Sequence, residues 1–242
     1  KALLKSAQVF EYIQHASDYG IKVDKASADF GAMVQRSRDV ANGMSKGINF
    51  LFKKNKIDHI VGFGKLKAGK KVEVTAEDGS KTDYSAEHII VATGGRAREL
   101  PHMPIDGKKI IGYRQAMSLE KQPKSMVVVG SGAIGVEFAY FYNSIGTEVT
   151  IVEYMDRIVP VEDEEVSKQL ERTYKKAGMK IMTKLENIHN PKIMAPISFH
   201  IDLLGRVLSP KSSSLAYSSL ILSGRDLTSG DLLFFGSRGS CS

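Results

Sequence analysis

Gly130, Gly132 and Gly135 form the pattern in this sequence that most directly indicates chemistry. They follow the apolar run 126–129 and precede a helical stretch that extends to Ser144. A glycine turn between a strand and a helix brings backbone N–H groups and the positive end of the helix dipole to one place, where a diphosphate can bind. Because GxGxxG alone is weak in a chain with 22 glycines, the surrounding elements decide its meaning.

The motif gives each glycine a separate role. Gly130 permits the tight turn, Gly132 lets backbone approach a pyrophosphate, and Gly135 lets the helix pack closely on the strand. Glu153 ends the next strand, where its carboxylate would accept hydrogen bonds from ribose hydroxyls and repel a 2′-phosphate. We therefore predict a dinucleotide site that prefers NAD to NADP; the alternative is a structural turn followed by an exposed glutamate. Glu137 lies in the first helical turn, where spacing alone favours a helix-stabilising charge.

A second group of small residues follows the apolar run 89–92. At Thr93, Gly94 and Gly95 the protein backbone could approach a ligand closely, although a tight strand exit explains these residues equally well. Gly62 and Gly64 could likewise lie close to a ligand, and the structural alternative for them is a bulge in a strand. Spacing does not decide between these interpretations.

Several other functions are not supported by composition. The net charge is +7, but Lys and Arg alternate with Asp and Glu, so we do not expect nucleic-acid binding. The six histidines show no ligand spacing, so no metal site is expected. The single cysteine, Cys241, excludes an intramolecular disulfide. With no apolar run of about 18 residues and no secretory leader, we expect no membrane span and a cytoplasmic location.

The first half of the chain predicts two helices and three strands. Apolar residues recur at helical spacing from Ala2 to about His15 and from about Asp29 to Asn55. The strands are predicted at 59–61 running toward Leu66, at 71–75 and at 88–92. A turn is predicted at 77–80, between the last two strands. Alternation in the middle strand indicates an antiparallel sheet, and the continuous apolar run in the last indicates burial.

The second half predicts a parallel sheet with crossover helices. Its elements are a strand at 126–129, a helix to Ser144, a strand at 148–153, a helix at 163–176 and a short strand at 179–182. From Asn187 onward the sequence is rich in serine and shows no sustained period, so no element is assigned there.

Four segments together resemble the flavoprotein disulfide reductases. They are Lys1-Ala2-Leu3-Leu4, Gly62-Phe63-Gly64, Ala92-Thr93-Gly94 and the run from Gly130 to Glu137. The resemblance extends from Lys1 to about Glu186. It implies an α/β fold of Rossmann-like FAD/NAD(P)-binding domains with an antiparallel three-stranded meander. We expect a partial FAD-binding domain at 1–121, a partial NAD-binding domain at 122–186 and an unassigned tail at 187–242.

The resemblance also implies cofactor contacts. Lys1 would lie near the flavin and pair with Glu137 across the two expected domains. The other FAD contacts would be Gly64, Thr93, Gly94 and Gly95; since position 95 is often Ser in the family, no side-chain contact is expected there. The NAD site would comprise Gly130, Ser131, Gly132, Ala133, Ile134, Gly135, Val136, Glu137 and Glu153.

By resemblance, the parent activity is oxidation of protein-bound dihydrolipoamide through FAD to NAD+. The partner would be the lipoyl domain of a 2-oxo acid dehydrogenase complex, and the parent a homodimer. The family's CxxxxC segment would directly precede Lys1 and its His-Glu base would lie beyond this chain. We therefore expect no catalytic residue here, an inactive polypeptide, and a tail that is frame-shifted or vector-derived. The alternatives are a glutathione- or mercuric-reductase type enzyme, a non-catalytic nucleotide-binding module, and a truncated product without a stable fold.

Overall fold

The structure is a computed structural model that describes residues 1–95, 97 and 103–185. Within these ranges the chain forms two compact units, one containing 1–37 with 103–185 and the other containing 38–95 with 97. The expectations for the tail at 187–242 and for Cys241 lie outside the described residues. No helix in the described ranges combines the length and the apolar character that crossing a membrane requires.

Eleven helices and strands, with one additional short 3-10 turn at Ala16–Tyr19, make up the described ranges. In chain order they are α1 (Ala2–Gln14), α2 (Phe30–Lys54), β1 (Phe63–Lys67), β2 (Lys71–Thr75), β3 (Lys81–Ser85), α3 (Tyr113–Ala116), β4 (Ser125–Val129), α4 (Ala133–Ser144), β5 (Glu148–Val152), α5 (Glu164–Lys176) and β6 (Lys180–Met182). Both long N-terminal helices and the strand-helix alternation after residue 125 agree with the sequence predictions.

The first unit contains a parallel sheet in the order β4-β5-β6. Ser125 pairs with Glu148 at one end of the β4–β5 ladder, and Val129 pairs with Val152 at the other. β5 is the central strand, and Ile151 is fully buried, as expected of a parallel strand covered on both faces. The predicted parallel unit is therefore confirmed. The glycine turn and Glu153 follow the carboxyl ends of the neighbouring strands β4 and β5.

Helix α4 is anchored by aromatic side chains in the core of this unit. Phe141 and Tyr142 are almost completely buried, and their rings lie edge to face with centroids 5.0 Å apart. A buried hydroxyl needs a partner, and Tyr142 donates to the carbonyl oxygen of Ala116 at 2.6 Å. Burial also raises the pKa of Tyr142, so the hydroxyl remains a donor. These contacts fix α4, which carries the glycine motif at its start.

The second unit contains an antiparallel meander in the order β1-β2-β3. Phe63 pairs with Thr75, and Thr75 pairs with Lys81 across the tight turn that follows β2. The predicted three-stranded meander is thus present, but its third strand is β3 and the prediction of a buried strand at 88–92 is wrong. No described strand pairs with that segment, and Ile90 is 90% exposed.

The prediction of a strand at 59–61 is also wrong, because the ladder begins only at Phe63. β2 ends at Thr75 and the chain turns at Ala76, whose N–H bonds the carbonyl of Ser80, so residues before Phe63 have no strand opposite them. Gly62 lies against β2 so closely that a Cβ there would be 2.7 Å from the carbonyl oxygen of Thr75. Glycine is therefore required where the chain enters the meander.

Candidate dinucleotide site

The turn between β4 and α4 depends on glycine at its first position. Gly130 has φ +91°, in the left-handed region that disfavours side chains. Its N–H donates to the carbonyl of Val152 at 2.8 Å, which continues the β4–β5 ladder into the turn. The role predicted for Gly130 from spacing therefore has a conformational basis.

The other two glycines of the motif have different surroundings. A Cβ at Gly135 would overlap the carbonyl oxygen of Gly130 and lie 3.3 Å from Cγ1 of Val128, so α4 packs directly on the turn. A Cβ at Gly132 would meet no atom within 4 Å. Gly135 is thus required by packing within the protein, whereas Gly132 leaves open space beside the backbone, as the approach of a diphosphate requires.

The N-terminus of α4 provides donors for an anion. Gly132 is its N-cap residue and supplies no side-chain cap, so the first-turn N–H groups of α4 have no side-chain acceptor at that position. At the start of α5, by contrast, the Asp163 carboxylate accepts a hydrogen bond of 2.8 Å from the N–H of Glu165. The uncapped helix and the open space at Gly132 fit the diphosphate of a dinucleotide.

Glu153 follows β5 and its carboxylate is bound to the glycine turn. Oε2 accepts hydrogen bonds from the backbone N–H and the hydroxyl of Ser131, at 2.7 and 2.6 Å, and Oε1 accepts one from the N–H of Met155 at 3.0 Å. Burial is the strongest single influence and favours the neutral acid, but these hydrogen bonds together hold the pKa of Glu153 below its ordinary value. The carboxylate therefore stays ionised near neutral pH.

This arrangement limits what Glu153 can offer a ligand. The residue is 7% exposed, unlike the exposed glutamate of the structural alternative. A carboxylate has about four acceptor positions; Ser131 and Met155 donate three hydrogen bonds to Glu153, and the backbone N–H of Tyr154 also acts on this carboxylate and lowers its pKa. Ribose hydroxyls would therefore have to compete with these protein donors for the carboxylate.

Ser131 also joins the turn to the segment before α5, a contact that the sequence did not predict. The N–H of Val159 reaches both the hydroxyl of Ser131, at 3.2 Å, and its carbonyl, at 3.1 Å. The hydroxyl of Ser167 donates to the carbonyl of Val159 at 3.3 Å. Ser131 and Ser167 are buried, so their polar atoms need partners. The sequence signal for this network is a hydroxyl residue placed between two glycines of the turn.

Lys1 and Glu137 form an ion pair in the first unit, between the N-cap residue of α1 and the first turn of α4. Spacing alone favours a helix-stabilising role for Glu137, and only the family resemblance implies its pairing with Lys1. That pairing is present in the structure. Tyr174, in α5, donates its hydroxyl proton to the carbonyl of Val136 in α4 at 2.9 Å. Burial, with the nearby negative charges of Glu137 and Glu11, raises the pKa of Tyr174 to about 12.

The residues expected to contact FAD, other than Lys1, lie in the second unit. Gly64 is in β1, paired with Val74. Gly94 has φ +73°, and a Cβ at Gly95 would meet no atom within 4 Å, so the backbone after Thr93 is open to a ligand. This backbone is compatible with a close cofactor contact, and the contact itself stays a prediction. No cluster of His, Cys, Asp and Glu among the described residues could hold a metal ion.

A parallel strand-glycine turn-helix unit with an acidic residue after the next strand defines a dinucleotide-binding protein of the α/β class. Comparison with known families is consistent with this fold. The chain belongs to the family described as pyridine nucleotide-disulphide oxidoreductase, whose model matches residues 1–192.

Two similar relatives are both named dihydrolipoyl dehydrogenase. The protein of Chlorobaculum tepidum is 46% identical over 78% of this chain and 40% of its own length. That of Chlorobaculum parvum is 43% identical over 87% of this chain and 45% of its own length. The chain therefore spans less than half the length of these relatives.

A solved structure agrees with the fold. LpdA from Mycobacterium tuberculosis superposes with a TM-score of 0.69 at 28% identity, covering 76% of this chain and 40% of that one. The expected class, Rossmann-like domains with an antiparallel meander, is confirmed by this likeness and by the family match.

Proposed function

We propose that this chain forms the NAD-binding site and part of the FAD-binding site of an enzyme that oxidises protein-bound dihydrolipoamide and passes the electrons through FAD to NAD+. The observation that carries the proposal is the open backbone at Gly132 beside the uncapped start of α4. The identity of 46% to a protein named dihydrolipoyl dehydrogenase supports the choice of substrate.

The NAD diphosphate would be held mainly by backbone. N–H groups of Ala133 and Ile134 would donate to its oxygens at the positive end of α4, and the missing side chain of Gly132 would permit the approach. Glu153 would accept one hydrogen bond from the adenosine ribose through Oε1, and its negative charge would repel a 2′-phosphate. Ser131 would hold that carboxylate in place. Gly130, Gly135 and Val136 would shape the turn.

FAD, when bound, would carry two electrons between a dithiol and the nicotinamide. In the first unit, the Lys1 ammonium, held by Glu137, would place a positive charge beside the flavin. In the second unit, Gly64, Thr93, Gly94 and Gly95 would contact FAD through backbone. The contribution of this chain is therefore binding and electrostatic positioning.

Dithiol exchange requires two sulfur atoms, and these 242 residues contain one cysteine. We accordingly propose that the polypeptide by itself does not turn over dihydrolipoamide. The proposed partner of the whole enzyme is the lipoyl domain of a 2-oxo acid dehydrogenase complex, and the proposed assembly is a homodimer.

We also propose a cytoplasmic location. Sparse cysteine supports a reducing compartment, but a relative from Pisum sativum is named as mitochondrial, so cell fractionation is the test.

A fluorescence titration with NADH tests the proposed cofactor site. The titration follows the emission of the reduced nicotinamide itself, because the protein contains no tryptophan whose fluorescence NADH could quench. We expect saturable binding of NADH and binding of NADPH that is at least about tenfold weaker, because a 2′-phosphate would meet the ionised Glu153. Equal binding of the two would contradict the role of Glu153, and no binding by the folded chain would contradict the proposed function.

A further inference from the structure

Helices α1 and α4 run in the same direction, with both N-termini at one end of their contact. Lys1, at the start of α1, pairs with Glu137 in the first turn of α4. Ten residues later in α1, Glu11 meets the hydroxyls of Tyr140 and Ser144, further along α4. Glu137, Tyr140 and Ser144 are separated by three and four residues and therefore share one face of α4.

The apolar part of this contact does little to fix the register of α1 against α4, which is itself anchored in the core by Phe141 and Tyr142. Leu3, Ala7 and Phe10 are the buried side chains of α1, and Val136 and Ala139 are buried on α4. Apolar burial is non-directional, and the short side chains of Ala7 and Ala139, both fully buried, offer little shape to resist sliding. The register of α1 against α4 must therefore come largely from directional contacts.

Glu11 provides two such contacts at once. Oε2 accepts from the hydroxyl of Tyr140 and Oε1 from that of Ser144, each at 2.7 Å. Burial and the adjoining Glu11 charge raise the pKa of Tyr140 to about 12, which keeps its hydroxyl protonated as a donor. One carboxylate thus accepts hydrogen bonds from two successive turns of α4. These bonds are strong because hydrogen bonds to a charged group are stronger than those between neutral groups.

We propose that Glu11 is a positioning residue: by binding Tyr140 and Ser144 it sets the register of α1 against the anchored helix α4, and thereby holds Lys1 at Glu137. The ion pair itself is weakly held, since the Lys1 side chain is 83% exposed and that of Glu137 is 41% exposed. The importance of this ion pair for electron transfer rests on the proposed function, because the position of the Lys1 charge would matter only to a flavin bound beside it.

Zero-length carbodiimide cross-linking measures this geometry without any cofactor. It joins a lysine amine to a carboxylate in direct contact, and mass spectrometry quantifies the product. The reporter is the Lys1–Glu137 link, in a chain expressed with an initiator methionine so that Lys1 keeps only its side-chain amine. The internal control is the link between Lys180 and Glu148, an ion pair of 2.6 Å that joins β6 to β5 away from Glu11.

Three variants decide the proposal. In Glu11→Ala, the Lys1–Glu137 link should fall at least about threefold relative to the control link, because two charged hydrogen bonds are lost. Glu11→Gln should retain most of it, since an amide of the same length can accept from one hydroxyl and donate to the other. Glu164→Ala, which breaks an ion pair within α5, should leave both links unchanged.

An unchanged Lys1–Glu137 link in Glu11→Ala, with the control link intact, would overturn the proposal. If both links disappear because that variant does not fold, the double variant Tyr140→Phe with Ser144→Ala decides instead. It keeps the carboxylate and removes its partners, so selective loss of the Lys1 link supports the proposal and an unchanged link refutes it. Failure of the NADH titration would leave these measurements unaffected, so the two ideas can be rejected separately.

Discussion

Glu153 accepts two hydrogen bonds from Ser131, one from its backbone N–H at 2.7 Å and one from its hydroxyl at 2.6 Å. The residue at the end of β5 is thus part of the structure of the glycine turn that follows β4. A carboxylate that would recognise the ribose also fixes the loop that would bind the diphosphate. Loop geometry and nucleotide preference therefore depend on the same side chain.

Substitution of Ser131 should destabilise the folded protein. Ser131→Ala removes the hydroxyl donor from a buried, ionised carboxylate, while the N–H of Val159 keeps the carbonyl of residue 131 as its acceptor. We expect a loss of about 1.5 to 3 kcal/mol in the free energy of unfolding, measured with urea. Ser118→Ala is the control, because its hydroxyl bonds the carbonyl of Arg114 at an exposed position. An equal effect in both variants would contradict the role of Ser131.

Two alanine substitutions in the glycine motif should separate packing from binding. Gly135→Ala would drive a Cβ into the carbonyl of Gly130, so we expect a loss of stability of about 1 to 3 kcal/mol. Gly132→Ala introduces a methyl group into open space at φ −65°, so stability should fall by no more than about 1 kcal/mol, the cost of alanine in place of glycine at an N-cap.

The order of these two variants should reverse in NADH binding, where Gly132→Ala should show the larger loss. Gly132→Ala should weaken binding by at least about tenfold, because its methyl group occupies the approach of the diphosphate. Urea unfolding and NADH titration of both variants provide the check. A Gly132→Ala protein that binds NADH as tightly as wild type would show that no ligand approaches this backbone.

The contribution of Glu153 to stability should depend on pH in the acid range. Its pKa in the folded protein lies below the ordinary value for a glutamate, so folding favours the ionised form. The stabilisation is complete above pH 4.5 and is lost as pH falls through the lowered folded pKa. The stability difference between wild type and Glu153→Gln should therefore be largest near pH 7 and shrink toward pH 3. A difference that grows in acid would mean that the folded pKa is raised.

Turnover by the purified 242-residue polypeptide should be absent. With dihydrolipoamide and NAD+ supplied and FAD added, no NADH formation above the uncatalysed rate is expected, because one cysteine cannot form the disulfide that would accept the electrons. The absorbance of NADH provides the assay. Robust NADH production would refute this part of the account.

The sequence predicted the parallel unit well because its signals are local. Helical periodicity located α1, and the run from 126 to 135 located β4, the turn and α4. The failures at 59–61 and 88–92 have a common cause. An apolar run shows that a segment suits a strand, but a strand exists only where a partner lies alongside, and pairing partners are distant in sequence.

Parts of the candidate site were unpredictable for a similar reason. Spacing indicated Gly130, Gly132 and Gly135, whose roles depend on neighbours within a few residues. The burial of Glu153 against Ser131 joins residues 22 positions apart. The positions of Glu11 and Tyr140 are 129 residues apart, and no periodic pattern connects them. Contacts of this kind depend on how helices pack, which local sequence does not determine.

Backbone amide shifts on addition of NADH test the central claim most directly. In 15N-labelled protein, the N–H signals of Ala133 and Ile134, at the uncapped start of α4, should move in a saturable manner. The N–H signals of Glu164 and Glu165, at the start of α5 capped by Asp163, should remain in place. Saturable shifts confined to the start of α4 and the adjoining turn are the predicted result. A folded protein in which the Ala133 and Ile134 signals do not respond to NADH would contradict the account.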